Sequence, residues 1–149
     1  MPRRSSVAVS ELKVGEFLAA LGERTPAPAS GAAAAVTGAF AASLVELAAR
    51  FADDETAIDR AKALVTRLAQ LADEDAAAYT AFMQTRSEEA RRRTIEVPEE
   101  IAENADEVER LAGQLRAQLK SSVAGDAEAA EELARAAARV ARRLVQLNA

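Results

Sequence analysis

Three acids stand together at Asp73, Glu74 and Asp75 in an otherwise apolar, alanine-rich stretch, Leu71–Phe82. At 100° per residue, Val65, Leu68, Tyr79 and Met83 fall within roughly 40° of Ala72, and Asp75 lies about 60° from it. That places Asp75 on the flank shared with Leu64, Leu71 and Phe82. Asp73 lies about 100° away on the other side, and Glu74 points outward. A carboxyl held among apolar side chains has a raised pKa and can exchange a proton near neutral pH. Tyr79, one turn on, is placed to hydrogen-bond that carboxyl or to stack on a ligand. The same position also suits the edge of a helix seam, with Asp75 paired to an arginine of a neighbouring helix.

The composition narrows what such a carboxyl could work with. The chain has no cysteine and no histidine. That excludes disulfides, thiolate metal sites, cysteine nucleophiles and every Ser-His-Asp arrangement. Chemistry falls to carboxylates, Lys, Arg, Tyr, Ser/Thr and backbone amides, with no metal and no cofactor expected. The formal net charge is −5, which disfavours nucleic acid as a partner. No uninterrupted apolar run reaches the roughly 18–20 residues of a membrane span. Neither a membrane partner nor a secretory signal is expected, and the expected location is cytoplasmic.

The elements that position these groups read as helices. Half of the 149 residues are hydrophobic and aromatic residues are only 3%. Alanine, the best helix former, fills most of the apolar positions. Six glycines and four prolines are too few for many short strands and turns. The reading is an all-α, compact bundle of about five helices around a buried Ala-rich central helix. Residues 1–9 read as a flexible tail, and residues 10–149 as one domain.

A first helix is expected from Glu11 to Leu21, with Ser10 as N-cap and Gly22 as stop. Thr25-Pro26-Ala27-Pro28-Ala29-Ser30-Gly31 reads as a loop, with Ser30 or Gly31 capping the second helix. Ala32–Ala52 is apolar nearly all round and should be that helix, at the centre of the fold. Its N-terminal amides are suited to an anionic group. A long helix is expected from Glu55 to Arg86, followed by a charged stretch, Ser87–Thr94. Arg91–Arg93 in that stretch reads as a solvated face or as a dock for an anionic tail. Pro98 should start the next helix, running to about Ser121. After a break at Ser121–Gly125, the last helix should run from Asp126 to Leu147. Its expected stripe is Ala130, Leu133, Ala137, Val140, Leu144 and Leu147. Asp126 reads either as its N-cap or as a polar group on that stripe.

Several segments resemble one family in order along the chain. Phe17–Leu21, then Thr25-Pro26-Ala27-Pro28, Gly31 and the Ala-rich helix are similar to the start of the formiminotransferase-cyclodeaminase C-terminal domain family. Leu71–Tyr79 resembles that family's D-x-D-x-x-A-[FY] segment. Glu96-Val97-Pro98 with Ile101-Ala102-Glu103, and Gly125-Asp126 with the helix ending at Leu147-Asn148, resemble two further stretches. The resemblance implies an all-helical, dimeric domain that binds a folate-type small molecule. It implies ring closure or opening at a one-carbon unit on tetrahydrofolate, either methenyltetrahydrofolate cyclohydrolase-like or formiminotetrahydrofolate cyclodeaminase-like. It also implies an aspartate of the D-x-D segment, Asp75 or Asp73, as general acid/base. Pro28, Ser30, Gly31, Tyr79 and Asp126 would be substrate contacts. With no transferase domain attached, the cyclohydrolase is the expected activity.

The sequence departs from the family pattern at three places. Pro28-Ala29-Ser30-Gly31-Ala32 stands where the family reads P-G-G-G-S, the segment between Met83 and Val97 is short, and Gly125 replaces a serine. A non-catalytic member that binds folate, or acts as a dimeric helical interaction module, is the alternative.

Overall fold

The computed structural model describes residues 7–149, and residues 1–6 of the expected tail, 1–9, lie outside them. A short 3-10 turn, Val9–Glu11, precedes five α-helices. These are α1 (Val14–Gly22), α2 (Ser30–Phe51), α3 (Glu55–Thr85), α4 (Glu88–Arg116) and α5 (Ser121–Asn148). The all-α bundle with a buried Ala-rich helix is as the composition indicates. Helix α2 packs on α3, α4 and α5, while α1 lies at the periphery and buries no residue. By length and mean hydropathy, 1.6, α2 could cross a membrane, but half of that stretch is buried inside the bundle. Such a helix serves equally well as the centre of a core.

The long helices run antiparallel because the turns between them are tight. Asp53 and Arg86 both take left-handed backbone, with φ of 53° and 52°. Each is followed by a side-chain cap: Asp54 accepts from the Ala57 amide at 3.1 Å, and Ser87 from the Ala90 amide at 3.1 Å. These caps satisfy amides that have no partner in their own helix. Charge pairs repeat the antiparallel register. Seven residues forward on α3, from Arg60 to Arg67, matches seven back on α4, from Glu107 to Glu100. Arg116–Glu131, Arg135–Glu109 and Arg142–Asp106 tie α4 to α5 in the same sense. Each pair has its arginine at least one-third exposed, so each contributes roughly 0–1 kcal/mol and mainly selects alignment.

The core is built from alanine seams. The buried face of α5 is Ala127, Ala130, Ala134, Ala137, Ala138 and Ala141. This corrects the expected stripe, since Leu133, Val140 and Leu147 are exposed. On α2, Ala35, Ala42 and Ala49 are fully buried, and Gly38 abuts both methyls of Leu68 at 3.3 Å from where a Cβ would sit.

Four further boundaries differ from expectation. The first helix starts at Val14 after Lys13, not at Glu11 after Ser10. Ala29, without a side-chain cap, precedes α2, so neither Ser30 nor Gly31 is its N-cap. Helix α4 begins at Glu88 and carries Pro98 inside it, because Ser87 caps the helix well before the proline. Helix α5 begins at Ser121 after Lys120, so Asp126 lies in its second turn and is not an N-cap.

Replacing Gly38 by valine should destabilise the fold by about 1–3 kcal/mol, since the added methyls must displace Leu68 in a closed seam. Denaturant unfolding followed by circular dichroism measures it.

Candidate functional site

At one end of the bundle the start of α2, the last third of α3 and the last turns of α5 surround a cavity. Its volume is about 220 Å³, and Ser30, Gly31, Asp75, Tyr79, Leu144 and Asn148 are among its lining residues. Antiparallel packing brings these segments together from widely separated parts of the sequence. Ala29 and Ser30 form an exposed rim, whereas Gly31 is buried.

Asp75 is held against the backbone of Gly31. A methyl group built on Gly31 would collide with the Asp75 carboxylate, so the absence of a side chain there makes room for it. Gly31 has no positive φ; the requirement at this position is space. Ala29, where the resemblance leads one to expect glycine, has φ −142°, not the left-handed backbone that favours glycine.

Among the described residues no hydrogen bond and no ion pair reaches the Asp75 carboxylate. The expected alternative, pairing with an arginine of a neighbouring helix, is therefore not what the structure has. Burial is what pushes the Asp75 pKa up to about 6. Near neutral pH this carboxyl is available both to give and to take a proton. Around it the amides of Ser30, Gly31 and Ala32 begin α2 without a side-chain cap. The first backbone acceptance in this helix is Ala33 N–H to Ala29, at 3.0 Å. Tyr79 is partly exposed on the same wall.

The two aspartates of the D-x-D segment are separated. Asp73 accepts from the Ser10 amide at 3.0 Å and from the Ser10 hydroxyl at 2.6 Å, pinning the N-terminal 3-10 turn to α3. It borders a second cavity of about 490 Å³, lined by Val7–Val9, Ala27, Pro28, Ala76, Ala77 and Thr80 among others. Pro28 also faces this second cavity, and Ala27 lines both. Asp126 is not brought to either cavity. It lies near the start of α5, roughly 30 Å along the helix from Asn148 at 1.5 Å per residue. Arg91 and Arg93 face Glu88 and Glu96 within α4, as a solvated face would.

Asn148 is a lining residue that the pattern of acids and glycines did not single out. Its sequence signal was a polar amide at the end of an apolar helix. Among the described residues no three His, Cys, Asp or Glu side chains gather as a metal site.

Comparison with known proteins bears on the fold and the family. No curated protein sequence matches the chain. Among solved structures, formiminotetrahydrofolate cyclodeaminase from Thermotoga maritima aligns with a TM-score of 0.88 at 25% identity. The alignment covers 94% of this chain and 79% of that one. The family described as formiminotransferase-cyclodeaminase matches residues 13–149, from the start of α1 to the last residue. The chain belongs to that formiminotransferase-cyclodeaminase family.

Proposed function

We propose that this chain closes or opens a ring at the one-carbon unit of a tetrahydrofolate derivative, with Asp75 as general acid/base. The observation that carries this reading is a solitary carboxyl, desolvated to a pKa of about 6, packed on Gly31 in a cavity at the start of α2. In ring closure, a folate nitrogen adds to the carbon of the protonated formimino group, leaving an amino group there, and loses its own proton to Asp75. The carboxyl returns a proton to the amino group, and the C–N bond breaks to release ammonia. In ring opening, Asp75 takes a proton from water as its oxygen adds to the methenyl carbon. Asp75 then protonates the ring nitrogen that departs, and the hydroxyl on the former methenyl carbon loses its proton to solvent as the formyl group forms. Both directions pass through a tetrahedral carbon bearing nitrogens and need the same proton site. The likeness to the Thermotoga cyclodeaminase supports closure.

The Asp75 cavity alone is smaller than the ~300–1,000 Å³ of most small-molecule sites, but Ala27 lines both it and its neighbour, and a ligand reaching over Ala27 into both would have space of the usual size. The reading therefore places the pterin against Asp75, Gly31, Ser30 and Tyr79, and the remainder of the folate along Pro28 and Asp73. The small size of the Asp75 compartment, taken by itself, favours a second reading, in which the chain binds folate without turnover. Calorimetric titration with a tetrahydrofolate, run beside assays of ring closure on 5-formiminotetrahydrofolate and of ring opening on 5,10-methenyltetrahydrofolate, separates the two: heat without product supports the second.

The chain is further proposed to act as a homodimer. Phe40, Leu47 and Phe51 form one exposed apolar face of α2, with Phe40 54% and Phe51 63% exposed. A patch of this kind on a soluble monomer is normally covered, and a second copy would cover it with a self-complementary face.

Three outcomes are expected. Asp75→Asn should lower kcat by roughly 10²–10⁴ in both assays, while raising stability at pH 8. The sign follows from linkage. The folded pKa lies above the unfolded one, so the wild type loses stability as pH rises from about 4 through about 6. The asparagine variant escapes that loss, gaining on the order of 2–3 kcal/mol at pH 8 and little below pH 4. Thermal melts at the two pH values measure it. Gly31→Ala should cost at least roughly tenfold in kcat/KM, because the methyl evicts the carboxylate, with little change in Tm. Phe40→Glu should halve the mass seen by light scattering at tens of micromolar; a wild type already monomeric there would remove the dimer.

A further inference from the structure

Pro98 occupies a position in α4 where a residue of any other type would donate its amide to the carbonyl four residues back. Proline has no such proton, and its ring pushes that carbonyl aside. The orphaned acceptor is the Thr94 carbonyl, and Thr94 is 5% exposed, so water is not a ready substitute. The partner it finds is the side-chain amide of Asn148, which donates to it at 2.9 Å. The Thr94 hydroxyl is engaged elsewhere, donating to the Arg91 carbonyl at 2.6 Å. Asn148 is one of the walls of the Asp75 cavity, with Leu144 and Leu147 before it.

We propose that Asn148 is a substrate-positioning residue, held in place by the backbone acceptor that Pro98 leaves free in α4. With one N–H committed to Thr94, the carboxamide keeps its Oδ1 and its second N–H for a ligand. An acceptor beside a donor matches the edge of a cyclic amide that offers the reverse pair, as a pyrimidinone ring does. The chemistry recognised is therefore a heterocycle carrying a ring N–H next to a carbonyl. A serine or an aliphatic residue at 148 would lack that pairing. The same anchor ties the last turn of α5, whose Leu144 and Leu147 also line the cavity, to the second turn of α4. A helix interior tolerates proline at a cost of about 3 kcal/mol, and the gain assigned to it here is a fixed amide at the site. This inference rests on the folate reading above for the ligand, and on geometry alone for the anchor.

The experiment has two arms. In the first, nitrogen-15 spectra of the unliganded protein follow the Asn148 side-chain amide, assigned by its loss in Asn148→Asp. In the wild type one of its protons should be shifted and protected from exchange. In Pro98→Ala, where the new backbone N–H claims the Thr94 carbonyl, it should move to the position of a free asparagine. An unchanged signal in Pro98→Ala overturns the anchor. Pro98 is fully buried, so alanine gains helix propensity while leaving a small cavity; circular dichroism confirms the fold before the spectra are read, and Asn148→Asp, which leaves Pro98 in place, tests the same anchor from its other end.

The second arm measures kinetics with 5-formiminotetrahydrofolate and 5,10-methenyltetrahydrofolate. Asn148→Ala should raise KM roughly tenfold or more, the loss of about one good hydrogen bond, with kcat nearly unchanged. Pro98→Ala should raise KM by roughly threefold, and the double variant should match Asn148→Ala alone. Additive effects, or an unchanged KM in Asn148→Ala, overturn the positioning role. A wild type that neither binds nor turns over either folate would instead refute the folate reading, and the spectral arm would still decide the anchor.

Discussion

The contact between the Asp75 carboxyl and the bare backbone of Gly31 sets the terms for the rest of the molecule. A carboxylate placed among apolar groups without a cation is unfavourable, and nothing among the described residues relieves it. It is held there by the packing of α2 on α3, which is in turn held by Leu64, Leu68 and Leu71 against the small residues of α2. The bundle thus uses its hydrophobic burial to keep one acid in a poorly solvated place. A solvent-exposed carboxyl would be almost wholly ionised at neutral pH and a poor acid. The strain between burial and charge is what gives Asp75 its proposed use.

Much of this was legible in the amino-acid order. Periodicity pointed to five helices and the buried α2, because alanine-rich amphipathic stretches have few other options. The helical wheel separates Asp75 from Asp73, and the structure also puts them in different surroundings, one half-buried against Gly31 with no partner among the described residues and the other bonded to Ser10. Local rules failed where a distant residue compensates. Pro98 reads as a helix start because a proline inside a helix orphans a carbonyl; only the tertiary fold shows Asn148 receiving it. The start of α5 was misplaced because Ser, Gly and Asp between 121 and 126 look like a break. Packing and the turn at Lys120 override that preference.

Asp126 and Asn148 illustrate a second limit. Both lie on α5 and both belong to segments that resemble the family, yet they sit towards opposite ends of a 28-residue helix. Sequence order does not say which end of an antiparallel bundle a residue reaches. Counting turns does: with tight connections after α2, α3 and α4, the start of α2 must meet the finish of α5. The exposed Leu133, Val140 and Leu147 are a related case, since alanine competes for the inner face wherever two helix axes come close.

The alanine seams also shape how the protein can diverge. An alanine side chain has no rotamers to lose, so ordering the core carries little side-chain entropy. Close axes in turn leave no spare volume. Larger residues are barred, and smaller ones are limited to glycine, which weakens a helix. The shaft of the bundle thereby tolerates few exchanges, and room for change lies at the ends, where the two cavities and the connecting turns are.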